Sequence, residues 1–308
     1  MRRPGFTTMV FVIVAAAACE AADDGADAAT DSDSAAPVTA APFAMPDSGL
    51  ATPESVLHDA QADIYLVSNV NGGPVEHDDN GFIARVRPDG TFEAARWIDA
   101  AADNVTLNAP KGMAIVGDTL FVSDIDSVRA FHRLSGAPLG VRGVPGATFL
   151  NDVAVGADGS LYVTDTGVDA SFAPNGTEAV YRMDGDSATV IASGARLHSP
   201  NGIVAEDGSV VMVPFGAAVV TRFLADGTVD TVATLPGGQL DGIVRTADGG
   251  YVVSSWETSS LYRIAPDGTV TTLAHDLEAP ADIGYDARRQ LVLVPLFTAN
   301  RVEVRLVP

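Results

Sequence analysis

One glutamate, two asparagines and one aspartate stand at matching places in copies of a single short phrase. The phrase is a proline or leucine, a polar residue, a small or acidic residue, and then an apolar run. Its six copies begin at Pro53, Pro110, Leu150, Pro200, Leu240 and Pro280, so the polar slot holds Glu54, Lys111, Asn151, Asn201, Asp241 and Ala281. Four of these slots carry side-chain oxygen: two carboxylates and two amide carbonyls. If the copies surround one axis, Glu54, Asn151, Asn201 and Asp241 converge on its centre. That donor set is hard oxygen, which selects Ca²⁺ over Zn²⁺ because no cysteine or clustered histidine competes. Four protein oxygens leave between two and four positions of a calcium shell for water or substrate. The competing reading is that Asn-Gly and Asp-Gly merely turn the chain into a strand, a common use of both pairs.

The spacing names the scaffold. Consecutive slots lie 57, 40, 50, 40 and 40 residues apart, and a period of about 40 residues built from short strands marks propeller blades. The third copy shows the layout: a strand from Asp152 to Val155, a turn at 156–159, then Ser160 to Thr164, Ala179 to Met183 and Ala188 to Ala192. The fifth repeats it with Tyr251 to Ser254, Leu261 to Ile264 and Thr269 to Leu273. Asp-Gly between β-rich runs is a strong hairpin signal, because glycine supplies the positive φ that the turn needs. Four hairpin-linked strands per period make an antiparallel blade, so the expected fold is all-β, a six-bladed β-propeller. A β-sandwich has no reason to repeat at this length. The last copy offers only three strands, and an exposed edge there invites aggregation. The segment from Val38 to Leu50 is expected to close the ring on the C-terminal strand.

Residues 1–19 read as a targeting segment, with Arg2 and Arg3, an apolar stretch from Met9 to Val14, and small residues leading to Cys19. The stretch is too short to span a membrane. Its end is similar to a bacterial lipoprotein signal, in which the cysteine is acylated, although Ala16 stands where leucine is usual. A plain secretory signal cut near Ala18 or Ala22 is the alternative. Cys19 is the only cysteine, so an intramolecular disulfide is impossible. Residues 20–44 are rich in Ala, Asp, Ser and Thr and lack Lys and Arg, the composition of a disordered acidic tether. Residues 45–308 then form one propeller, expected to be monomeric and to touch the membrane only through a lipid anchor at the bacterial cell envelope. A formal charge of −22 argues against nucleic acid, whose binding needs a basic footprint.

The phrases "PES", "LNDVAV", "SPNGIV" and "LDGIV" carry a resemblance. They are similar to the metal-binding phrases of calcium-dependent six-bladed propellers of the regucalcin/gluconolactonase family, related to diisopropyl fluorophosphatase and the paraoxonases. The copy "APKGMAIVGDTLFVSD" looks more like the repeat of non-catalytic NHL propellers. The resemblance implies that Glu54, Asn151, Asn201 and Asp241 hold a catalytic Ca²⁺. Lys111 is the main departure, because paraoxonase-like relatives place a catalytic histidine in that slot. An ammonium about 4 Å from a cation costs several kcal/mol at an effective dielectric of 20. Four outcomes are open: Lys111 turns away towards Asp152 or Asp282, loses its proton and becomes a base, replaces the metal by pairing with Glu54 and Asp241, or stays solvated on the rim.

Further candidates follow from position. Asp152 and Asp282 sit one residue past the slot and are possible outer partners; Asp241 or Asp152 is a candidate nucleophile or base. Asn151 and Asn201 are also expected to orient substrate. Phe215, Trp256 and Phe297 end second strands on the same face and are candidates for an apolar substrate wall. The loops 71–81 and 166–177 are candidate lids, His198 is a loop histidine of no assigned role, and Asp124 and Asp165 read as structural turn residues. Two functions fit. One is a metal-dependent hydrolase of lactones, esters or phosphotriesters, with the metal as Lewis acid. The other is a surface-tethered binding propeller without chemistry, since the fold hosts both.

Overall fold

Alternating apolar residues and turn glycines drive the described residues into 23 strands and a single 3₁₀ turn, Ala195–Leu197. The computed structural model describes residues 44–45 and 49–307. The targeting segment, Cys19 and the tether up to residue 43 therefore lie outside the described residues. Five sheets have four strands in sequential antiparallel order, and the last has three. Their inner strands are Pro53–Asp59, Pro110–Val116, Leu150–Val155, Pro200–Glu206, Leu240–Arg245 and Gly284–Asp286. Each inner strand touches the next, and the last touches the first. The architecture is the expected six-bladed propeller. Gly159, Gly249 and Gly268 hold positive φ of 81°, 89° and 83° in their Asp-Gly turns, where a side chain would be strained.

The core is divided among the seams. Six main apolar clusters each join neighbouring blades, as where Ala114 and Phe121 of blade 2 meet Val153 and Leu161 of blade 3. Met45 and Leu50 enter the cluster between blades 1 and 6, beside Val302 and Val304. There the Met45 amide donates to Val302 O at 2.8 Å, and Ala44, the last residue read as tether, bridges Glu303. The missing fourth strand is thus supplied by residues from the N-terminal side. The contact is a short bridge; residues 38–43 and 46–48 of the expected segment lie outside the described residues.

An ion-pair clasp reinforces the same seam. Both Arg289 terminal nitrogens reach Asp63 of blade 1 at 2.7 Å, and Nη1 also reaches Asp286 of blade 6 at 2.7 Å. The Tyr65 hydroxyl donates to Asp286 Oδ2 at 2.7 Å, and His58 Nε2 lies 3.2 Å from Asp63. His58, Asp63 and Asp286 come close enough to suggest a metal cluster. The Arg289 guanidinium already supplies the positive charge between the two carboxylates, and it holds Asp63 well below the usual carboxylate range. Asp286 has no exposed side-chain surface. Arg289→Met should therefore strand a buried carboxylate and destabilise the domain by about 3 kcal/mol. Denaturant unfolding of the two proteins measures this, and an unchanged midpoint would show that the clasp contributes nothing.

Candidate active site

Glu54, Lys111, Asn151, Asn201 and Asp241 each stand at the start of an inner strand, and in blades 2 and 3 two side chains at the end of the second strand hold that start in place. In blade 3 these are Thr164 and Asp165. Asp165 accepts from the Phe149 and Thr148 amides at 3.0 and 3.1 Å and so pins the loop that leads into Asn151. Asp124 does the same in blade 2, accepting from Ala109 N at 2.8 Å, and Asn69 in blade 1 accepts from Ala51 N at 2.9 Å. In blades 2, 3 and 5 a hydroxyl at the second-strand end ties adjacent blades. Thr164 Oγ1 accepts from the Asp152 amide at 3.0 Å and donates to Asn201 O of the next blade at 2.6 Å. Ser254 accepts from Gly242 N and donates to Ala281 O, both at 2.8 Å, while Ser123 donates to Asn151 O. Asp124 and Asp165 are therefore structural, as their strand-end position implies.

The arrangement brings Glu54, Lys111, Asn151, Asn201 and Asp241 to the floor of one cavity of about 400 Å³. All five are buried, with exposures between 1% and 6%. Glu54 Oε2, Asn151 Oδ1, Asn201 Oδ1 and Asp241 Oδ1 are each buried without a hydrogen-bond partner. Buried polar atoms in folded proteins are nearly always paired, so four orphaned acceptors at one floor mark a place built for a cation. The orientation of Asn151 is enforced: its Nδ2 donates to Thr166 Oγ1 at 3.0 Å, and that hydroxyl donates to Pro200 O at 2.7 Å. The amide nitrogen is thereby turned away and Oδ1 left free. The residues present fit a hard divalent ion, consistent with a donor set of two carboxylates and two carbonyls.

Electrostatics points the same way. Burial, then the charges of Asp241 and Asp282, push the Glu54 carboxyl well above its usual range, against the pull of Lys111. Burial and then Asp282 raise Asp241; the Trp256 indole and the Asn201 amide pull it down, although the indole N–H closes no hydrogen bond. A bound cation inverts this logic by favouring the ionised carboxylates.

Lys111 makes neither of the two pairings expected of it. It is the chain's only lysine. Its Nζ donates to Ala109 O at 3.0 Å and lies 4.3 Å from the Phe149 ring centroid. It turns towards neither Asp152 nor Asp282. Among the described residues it forms no ion pair with Glu54 or Asp241, so it does not stand in for a metal there. Burial lowers its pKa, opposed by Glu54 and Asp124.

Asp152 falls on the other side of the floor. Its carboxylate accepts from the Ile203 amide at 2.8 Å and from the Val153 amide at 2.6 Å. With Asp282 it lines a second cavity, about 590 Å³, at the opposite mouth of the tunnel. The expectation of a catalytic Asp152 is corrected: successive strand residues face opposite ways, so the residue after a slot leaves the substrate side. Burial raises both carboxyls, Asp282 to about 7. Gly112 and Gly242 make room for them, because a Cβ at either would strike Asp152 or Asp282.

Phe215, Trp256 and Phe297 form a continuous wall, with centroids 5.7 and 5.5 Å apart. Phe149 and Phe172 face it, 6.1 Å apart and edge-on. Pro74 of the loop 71–81 and Val168 of the loop 166–177 complete the lining. His198 is exposed and stays outside it. The residues not foreseen are Thr166 and Phe149. Thr166 follows the "VTD" strand end, and that adjacency was the available signal.

The fold has known counterparts. Residues 143–282 match the family described as the SMP-30/Gluconolactonase/LRE-like region. Asn151, Asn201 and Asp241 lie inside that match, whereas Glu54 and Lys111 precede it. No curated protein matches the chain. Among solved structures, a gluconolactonase of Xanthomonas campestris is 20% identical, with a TM-score of 0.59 over 88% of this chain and 99% of that one. A second protein assigned to gluconolactonase is 15% identical, with a TM-score of 0.64 over 86% and 92%. Virginiamycin B lyase from Staphylococcus aureus is 12% identical, with a TM-score of 0.58 over 87% and 99%. At such identities the structural likeness establishes the propeller alone.

Two measurements follow. Thr166→Val removes the group that orients Asn151 and should weaken divalent binding by about 10- to 100-fold, read by calorimetric titration; unchanged affinity would mean that Asn151 is not a ligand. The second is pH. The chelated protein carries carboxyls raised above their unfolded values, so its fold binds the extra protons. Its melting temperature should fall as pH rises from about 4 through about 7. Added Ca²⁺ should reverse that trend, with the largest stabilisation at the alkaline end.

Proposed function

We propose that this protein is an exported, calcium-dependent hydrolase of lactones, esters or phosphotriesters. The reading rests above all on the four orphaned oxygens at the cavity floor. The family match over residues 143–282 supports chemistry of the lactonase type. Glu54, Asn151, Asn201 and Asp241 would hold the ion. When bound, it supplies Lewis acidity to a carbonyl or phosphoryl oxygen.

The chain's own groups account for the remainder. The aromatic walls exclude bulk water and hold the substrate against the floor. Asp241, with one oxygen free, lies where it can steer an attacking water or act as nucleophile. Lys111 serves as the base in this reading: burial favours its neutral amine, and a divalent ion held at the floor would favour it further. A neutral Nζ can take the proton of the attacking water and return it to the leaving oxygen. Asn201 orients the substrate beside Asp241.

The lipobox-like sequence before Cys19 supports export and acylation. Acyl chains contribute about 0.8 kcal/mol per buried CH₂, enough for stable anchoring when more than one is attached. Membrane association that persists in a Cys19→Ser variant would sink that part.

The activity is tested with a lactone and aryl-ester panel, with and without chelator. Hydrolysis should vanish on chelation and return with Ca²⁺, and Glu54→Gln or Asp241→Asn should abolish both binding and turnover. Lys111→Met should remain folded, bind Ca²⁺ more tightly because no ammonium then has to lose its proton on binding, and lose about 100-fold or more in kcat. Should calcium leave the melting curve unchanged and no substrate turn over, the binding-propeller reading takes its place.

A further inference from the structure

The floor and the walls of the cavity differ sharply in chemistry, and the walls define what the substrate carries beyond its reacting group. Above the orphaned oxygens the lining is aromatic or aliphatic: Phe215, Trp256 and Phe297 on one side, Phe149, Phe172 and Val168 on the other. The polar side chains above the floor are few. Thr166 has its hydroxyl engaged on both sides, accepting from Asn151 and donating to Pro200 O. That leaves the Ser199 hydroxyl and the Trp256 indole N–H, which is buried and unpaired. A polyhydroxylated lactone buried here would bring several hydroxyls to a wall with almost no partners. Each hydroxyl left unpaired costs about tenfold or more in binding.

Charge narrows the choice further. Lys111 is the one basic residue lining the cavity, and it stands at the floor beside Glu54. Among the described residues no guanidinium reaches the walls to meet a carboxylate or phosphate on the substrate's far end. At the lip, Phe172 is 54% exposed and its backbone sits in the left-handed region at φ 59°. A bulky residue held there at a cost in both backbone strain and hydration gains cover when an apolar group lies against it.

We propose that this site takes a neutral lactone or ester bearing an alkyl or aryl group, and discriminates against sugar lactones. The inference rests on the hydrolase reading for the reacting group, but the apolar preference belongs to the walls alone. The carbonyl end sits at the floor, and the apolar group lies between the Phe215–Trp256–Phe297 face and the Phe149–Phe172 face.

The test separates the two claims. Trp97 lies on the outer strand Phe92–Asp99, away from the cavity, so Trp97→Phe leaves Trp256 as the sole tryptophan reporter. Non-hydrolysable γ-lactams with lengthening alkyl chains, and glucono-δ-lactam, are titrated by fluorescence in the presence of Ca²⁺. Affinity should rise about fourfold per added methylene until the cavity is filled, with the sugar lactam producing no saturable change. The corresponding lactones should show the same order in kcat/KM, and Phe215→Ser should flatten the gradient. Affinity independent of chain length, preference for the sugar lactam, or no binding by any lactam would each overturn the apolar assignment. An alkyl gradient in binding without hydrolysis of any lactone would overturn the hydrolase reading and leave the apolar site standing. Calcium-dependent hydrolysis with the sugar lactone preferred would do the reverse.

Discussion

The site depends on hydroxyls that bind two blades at once. Thr164 and Ser254 each take an amide proton from their own inner strand and give their own proton to the slot carbonyl of the next blade. A carbonyl so held cannot rotate, and the side chain on the same residue inherits its bearing. Asn201 is fixed by blade 3 in this way, and Asn151 by Ser123 of blade 2. Convergence on the axis is therefore a property of the seams. Val213, which occupies the hydroxyl position in blade 4, supplies no such relay to Asp241, and that seam is held by apolar packing and by the Tyr251 hydroxyl, which donates to Glu206. Backbone contact replaces the relay there: a Cβ on Gly202 would collide with Asp241 O.

Between the two mouths the tunnel sorts its charges by strand pleat. Slot residues face the aromatic cavity, and the next residues face the opposite mouth. Glu54 and Ser55 illustrate the division: the first lines the aromatic cavity, while the second donates to Asp282 below. The same chain step that places a ligand above thus places its support beneath. A one-residue slip of an inner strand would exchange the two layers, which is why the clamping acids at the second-strand ends matter.

Much of this was legible in the sequence. The period of the phrase specified six blades, and the oxygen-bearing slots specified which residues meet. Aromatic residues at second-strand ends foretold the wall of Phe215, Trp256 and Phe297. Asp152 was misread, since position beside a slot says nothing about which mouth a side chain faces until the strand pleat is set. Lys111 was open for a related reason. Its sequence fixed where the backbone lies, but four rotatable bonds let Nζ choose among several partners, and it found Ala109 O and the Phe149 ring. Thr166 escaped notice because its task, turning an amide, exists only once two blades are side by side.

The joint between blades 6 and 1 has a mechanical meaning for the whole ring. Loops between consecutive blades carry tension across five seams, whereas here the ring is closed by side-chain and backbone contacts and by the chain that enters blade 1 from its bridge on blade 6. Arg289, Tyr65 and the Met45 amide bridge a gap that would otherwise open like a split washer. Glu54 stands immediately beside that gap, and its carbonyl accepts the Asp282 amide across it at 2.9 Å. Spokes from blades 3, 4 and 5 meet at the hub with one from the far side of the split. Whatever occupies the hub therefore also pulls the washer shut, and the stiffness of the rim and the filling of its centre become one quantity.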